Sequence, residues 1–150
     1  VKVTQEQINS FLETKRFAIA GVSRNPSNFG HQVFLDLRQK DFDVLPVNPH
    51  TDNIDGIQCY TDVNSLPEDI NRLLILTNKK QTNEILMQAI KKGIKKIWVQ
   101  QMSETRETLE MAENNGIDVI IGKCIFMYVN PKGVHRFHRS ILKLLGMLPK

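Results

Sequence analysis

Ser23, Arg24 and Asn25 stand in a row between an apolar run and a helix-like run, in the stretch IAGVSRNPSNFGHQVF. A hydroxyl, a guanidinium and an amide at such a junction suit the holding of phosphate. A helix starting after the turn offers unpaired backbone N–H groups and roughly half an elementary charge. Arginine adds a planar fork that meets phosphate oxygens two at a time. Gly21 lets the chain turn tightly where the apolar run ends, and Pro26 stiffens the loop. The plain alternative is a polar surface turn with a solvated arginine.

Other chemistries fit this loop less well. The dinucleotide signature G-x-G-x-x-G is absent, since only Gly21 and Gly30 occur here. The acidic residue that would hold a ribose after the second strand is replaced by Asn48 in PVNPH. GVSRN lacks the second glycine of a nucleophile elbow, and no Walker motif occurs.

The elements that must position these residues follow from periodicity. VTQEQINSFL starts a small lead-in helix, with Thr4 as cap and Gln7 completing a capping box. RFAIAG is apolar on both faces, as a parallel strand covered on two sides must be. Phe29, Val33, Phe34 and Leu37 recur at helical spacing. DVLPV is a second strand with Pro46 near its end. NPHTDNIDG is a loop, IQCY a very short strand, and DVNSLPEDI a short helix or turn. LLILT is a strand, KQTNEILMQAIKK a helix, and Gly93 its stop. KKIWVQ is a strand, SETRETLEMAENN a helix capped by Ser103 and stopped before Gly116, and IDVIIG the last strand.

This alternation implies an α/β fold of the Rossmann-like kind: an open, mostly parallel five-stranded sheet with helices on both faces. The expected organisation is one such domain over residues 1–131 and a basic amphipathic helix over 132–150, packed on the same domain or covering a homodimer interface. In open α/β sheets, ligands bind outside the carboxyl ends of the strands. Five turns are therefore candidates: 21–28, 48–50, 77–79, 100–102 and 122–124.

Bulk properties exclude several classes. Of 20 basic side chains, Lys132, Arg136, Arg139, Lys143 and Lys150 follow Pro131 with no acid among them, so the body is nearly neutral. A nucleic-acid-binding face is not expected. The longest apolar runs are too short for a membrane span. The two cysteines, Cys59 and Cys124, are too few for a disulfide framework and read as reduced thiols in a cytoplasmic protein. Cys59 is expected to be inert core. Cys124, just past the last strand, could be either buried core or a thiol facing a ligand. His135 and His138 are three apart on a helix, but a pair without a third ligand is not a metal site.

IAGVSRNPSNFGHQVFLDL, DVLPVNP, KKIWVQ and GKCIFM, in this order and spacing, resemble the small coenzyme A-binding family. Its members are stand-alone versions of the CoA-binding domain of succinyl-CoA synthetase α subunits. The resemblance runs from about Arg16 to Met127 and implies coenzyme A or acyl-CoA across the carboxyl edge of a Rossmann-like sheet. It implies that Gly21, Val22, Ser23, Arg24 and Asn25 cradle phosphates and that Asn48 and Pro49 lie near the adenosine. Thr77, Asn78 and Gln100, with the segment after it, would flank the pantetheine arm, and Cys124 would stand on the same edge. Lys79 or His50 could add charge there. Met102 stands where many relatives have glycine, and its side-chain bulk could crowd the approach of the arm.

The synthetase's catalytic histidine and nucleotide-binding partner domain lie outside this module. No paired carboxylates or nucleophile–base set stands in an obvious loop. The expected function is non-catalytic binding of a small CoA ligand. The alternatives are an acyl-CoA-handling enzyme that needs a partner subunit, and an interaction protein whose pocket has decayed.

Overall fold

The computed structural model describes residues 2–129; the basic segment 132–150, with His135 and His138, lies outside them. The chain runs α1 (Gln5–Leu12), β1 (Arg16–Ala20), α2 (Phe29–Gln39), β2 (Asp43–Val47), β3 (Asn53–Ile54) and β4 (Ile57–Gln58). It continues with β5 (Arg72–Ile75), α3 (Lys79–Lys92), β6 (Lys96–Gln100), α4 (Arg106–Asn114), β7 (Asp118–Lys123) and α5 (Phe126–Val129). Five strands form one parallel sheet in the order β2-β1-β5-β6-β7. The order reverses between β1 and β5, so the crevice that such sheets offer a ligand opens at the ends of these two strands.

Alternation along β1 separates two cores. Phe17 and Ile19 join Ile8 and Phe11 of α1, Val33, Phe34 and Leu37 of α2, and Phe126 of α5 on one face. Ala18 and Ala20 join Leu86 and Ala89 of α3 and Ala112 of α4 on the other. Both sides of β1 are thus dry, which explains its unbroken apolar run. Trp98 is fully buried, edge-on to Phe11 and Tyr128, and its indole N–H donates to the Lys123 carbonyl at 3.1 Å. A large aromatic is accommodated because its one polar atom finds a partner.

Local signals set most boundaries. Thr4 and Gln7 form the capping box of α1. Gly93 ends α3 at φ 88°, in the left-handed region glycine favours. Pro46 is tolerated because β2 is an edge strand; its carbonyl accepts from Tyr60 N at 2.9 Å, which straps the chain along that edge.

Two boundaries differ from the sequence reading. The fourth helix is capped by Thr105, not Ser103: Thr105 Oγ1 accepts from Thr108 N, and Thr108 Oγ1 accepts from Thr105 N. Ser103 instead closes a turn, its N–H donating to the Gln100 carbonyl at 2.9 Å. The segment NPHTDNIDG also contains half of an antiparallel hairpin, with β3 paired to β4 across Asp55 and Gly56. Both turn residues have positive φ, 52° and 82°, the conformation that makes Asp-Gly a strong hairpin dipeptide.

At the opposite edge of the sheet from the crevice, Arg16 ties three segments. Its Nη1 lies 2.6 Å from Asp43 Oδ2 and its Nε 2.7 Å from Asp69 Oδ2. The hydrogen bond from Arg16 holds the Asp69 carboxyl below its ordinary range. A carboxylate with a depressed folded-state pKa contributes stability at neutral pH that is lost as pH falls through the depressed value. Arg16→Met should lower the melting temperature at pH 7 by about 1–3 °C, as exposed pairs do. Thermal melts across pH should show that difference closing below the ordinary carboxylate range; a pH-independent difference would exclude the ion pair as its cause.

Candidate functional site

A cavity of about 470 Å³ opens at the carboxyl ends of β1, β2 and β5. It is lined by Gly21, Val22, Ser23, Arg24 and Asn28 after β1, by Val47 to His50 after β2, and by Leu76 to Asn78 after β5. Thr61 and residues Gln81, Glu84, Ile85 and Gln88 of α3 complete it. Cofactor sites fall in this size range, roughly 300–1,000 Å³.

The two glycines noted in the sequence explain how the chain folds here. Gly21 turns at φ 96°, and a Cβ on it would meet the Leu76 carbonyl carbon at 2.8 Å. A Cβ on Gly30 would lie 2.1 Å from the Gly21 carbonyl oxygen. Gly21 makes the tight turn, and Gly30 lets α2 press against it. These are the first and third roles of a dinucleotide glycine set. The middle role, bare backbone facing a pyrophosphate, has no glycine here: Val22, Ser23 and Arg24 occupy that stretch.

The loop between them is braced by its own polar groups. Ser23 Oγ accepts from Asn25 N at 3.0 Å, and Asn25 Oδ1 accepts from Ser27 N at 3.0 Å and Ser27 Oγ at 2.8 Å. Asn28 caps α2 by accepting from Gly30 N at 2.8 Å. Asn48 Nδ2 donates to the Val22 carbonyl at 2.9 Å, while its Oδ1 accepts from His50 N at 2.8 Å. Asn48 is thus the brace between the turns after β1 and β2, which suits an amide better than the expected ribose-binding carboxylate.

Across the cavity, Asn78 caps α3 by accepting from Gln81 N at 3.1 Å. The Thr77 hydroxyl lies 2.9 Å from that of Thr82. The N-termini of two helices, of 11 and 14 residues, therefore meet at one opening, and each carries partial positive charge. Arg24 is exposed at the rim and has no protein partner among the described residues. Its guanidinium is available to an anion, while Glu84 of α3 brings one carboxylate to the same cavity.

The structure brings together Gly21, Val22, Ser23, Arg24, Asn48, Pro49, Thr77 and Asn78, with His50 beside them. It does not bring Asn25, Gln100 or Cys124 to the cavity wall. Asn25 serves the loop's internal bracing. Gln100 is 3% exposed and its Oε1 accepts from Ile125 N at 3.1 Å, a structural use of a buried amide. Cys124 is 4% exposed and packs in the core with Ile120 and Phe126. Cys59 is also buried, as expected; burial pushes its thiol pKa up and disfavours the thiolate, partly offset by a hydrogen bond from the Asn48 backbone.

Met102 is not on the cavity wall. Its difference from glycine is felt in the backbone instead, at φ 76°. Sequence reading missed Val47, Thr61, Leu76, Gln81, Glu84, Ile85 and Gln88 as cavity residues. The α3 members share one helical face at spacings of three and four, a pattern a ligand-facing helix would show.

A parallel sheet with the 2-1-3-4-5 order of its main strands and a crevice at the switch point defines a doubly wound, Rossmann-like α/β domain. The model of the CoA-binding domain family matches residues 15–130, and the chain belongs to that family. It is 24% identical over 129 residues to the α subunit of an ADP-forming acetate–CoA ligase II from Pyrococcus furiosus. That match covers 79% of this chain but 28% of the ligase subunit. Among solved structures, a conserved hypothetical protein from Pyrococcus furiosus superposes with a TM-score of 0.72 at 35% identity, over 75% of this chain and 97% of that one. A hypothetical protein from Pyrococcus horikoshii superposes with a TM-score of 0.74 at 30% identity, over 93% of each chain.

Two substitutions test the geometry. Gly30→Ala should destabilise the fold by about 3 kcal/mol, the upper end for overpacking, because backbone must move. Chemical denaturation measures it, and a near-neutral result would refute the close contact. Met102→Gly should stabilise by about 1 kcal/mol by relieving the left-handed backbone. A lowered midpoint in the same assay would show that the methionine side chain contributes more than its backbone costs.

Proposed function

We propose that the protein binds coenzyme A or an acyl-CoA without catalysing a reaction on it. The observation that carries this is the crevice at the β1/β5 switch point, where two helix N-termini and an unpartnered arginine face one opening. The phosphates would lie against the turn from Gly21 to Arg24 and the start of α2. Adenosine would lie toward Asn48, Pro49 and the polar face of α3, and the pantetheine arm would leave past Thr77 and Asn78. Gln100 and Cys124 would support the adjoining edge from inside. Among the described residues no group of three or more His, Cys, Asp or Glu side chains could hold a metal, and no helix is long and apolar enough to cross a membrane. Two buried cysteines outside any disulfide fit a cytoplasmic setting.

One observation favours a second reading. The acetate–CoA ligase α subunit that the chain resembles is much longer than the matched region. On that reading the domain presents acyl-CoA to catalytic groups on a partner subunit, and turnover would appear only with the partner added.

Ligand binding to the native state stabilises it, by about 2.7 kcal/mol at one hundred times the dissociation constant. Thermal melts with millimolar CoA should show a clear upward shift, and equimolar NAD should show none. Arg24→Ala should weaken CoA binding by about tenfold or more, the worth of a charge-assisted hydrogen bond, while leaving the unliganded melt unchanged. No shift with CoA, or an equal shift with NAD, would overturn the proposal.

A further inference from the structure

His31 is 1% exposed, in the first turn of α2, and both of its ring nitrogens are engaged. Nδ1 lies 2.5 Å from the carbonyl oxygen of Ser23, and Nε2 lies 2.6 Å from Asp55 Oδ2. A carbonyl oxygen can only accept a hydrogen bond, and so can an ionised carboxylate. A proton on each nitrogen would satisfy both acceptors. The ring therefore bridges two segments far apart in sequence, the loop after β1 and the turn of the β3–β4 hairpin.

We propose that His31 is a positioning residue for the anion loop, acting as an imidazolium clamped between Ser23 and Asp55. This rests on the CoA reading for the identity of the ligand, not for the clamp itself. A cation in the first turn of a helix opposes the helix dipole, and Asp55 offsets it from the hairpin side. The clamp fixes the carbonyl of Ser23, and with it the direction in which the Ser23 hydroxyl and the Arg24 side chain leave the backbone. It also explains the hairpin: its Asp-Gly turn holds a carboxylate over the buried ring. Asp55 is the titratable group paired with His31 among the described residues. The other titratable side chains on the clamped segments are Arg24 on the loop, and Asp52 and Cys59 beside the hairpin.

A ligand phosphate would meet the loop that His31 holds, so losing the clamp should loosen the loop and weaken binding together. The informative comparison is His31→Gln, which keeps a donor for Ser23 but cannot bridge to Asp55.

Calorimetry at a single pH should show CoA binding about tenfold weaker in both His31→Gln and Asp55→Asn than in the wild type, a normal size for coupled equilibria. Wild-type affinity in both variants would overturn the proposal. Nitrogen NMR of the unliganded wild type gives an arm independent of CoA. Both ring nitrogens of His31 should carry protons at pH 6, and amides of residues 21–28 should exchange faster in His31→Gln. A neutral ring with one bare nitrogen, or unchanged loop exchange, would refute the clamp. If the wild type binds no CoA yet shows the imidazolium and the protected loop, the ligand assignment fails and the clamp stands.

Discussion

The start of α2 lies against the turn after β1 so closely that nothing larger than a hydrogen fits at residue 30. This contact sets the distance between helix and sheet at the end where ligands enter. With α2 held there, its N-terminus, its cap Asn28 and the loop from Val22 to Ser27 are confined to a narrow shelf over the sheet edge. Gly21 serves the same contact from below, since a side chain would strike the backbone at Leu76 and Thr77. The three turns that form the crevice are thus positioned by backbone packing before any polar side chain takes part.

Polar bracing then holds what packing has placed. Asn48 ties the turn after β2 to Val22, Asn28 and Asn78 cap the two helices that open on the cavity, and His31 ties Ser23 to the hairpin. Each of these side chains satisfies a backbone group that helix and sheet leave unpaired at an edge. The exception is Arg24, which reaches no protein acceptor among the described residues. The division between braced amides and one free cation separates the groups that shape the crevice from the group available to an anion.

The sheet was legible because parallel strands buried on both faces leave an apolar run in sequence, as in RFAIAG and LLILT. Caps were legible where the side chain and its partner are three residues apart, as with Thr4 and Gln7. The same rule misassigned Ser103 because its turn depends on the left-handed backbone at Met102, a conformation that methionine does not advertise. The hairpin was missed although IDGI carries its signal, since each of its strands has only two residues. The loop of the site was legible from residue type, but its far wall was not, because α3 presents ordinary polar residues to the cavity. Gln100 and Cys124 stood at the carboxyl ends of β6 and β7, whereas the cavity opens on β1, β2 and β5. Strand position alone does not say which way a side chain turns, and both turned into the protein. The clamp at His31 joins residues 24 apart, a relation that no local spacing encodes.

On the proposed reading, the loop is an anion site built with few glycines. A glycine-rich turn brings bare N–H groups to a pyrophosphate and accepts the conformational entropy of glycine as the cost. Here Ser23, Asn25 and Ser27 bond one another's backbone, and Pro26 removes a further degree of freedom. The loop is stiffened by residues that themselves favour turns, so it can hold its shape without a ligand. What it gives up is backbone reach. Recognition then rests on a side-chain guanidinium and on helix N-termini, which select for negative charge more than for the exact bridging geometry of a pyrophosphate. Such a site has reason to use a second device that fixes the guanidinium's origin, and the buried histidine beneath Ser23 lies one residue from it.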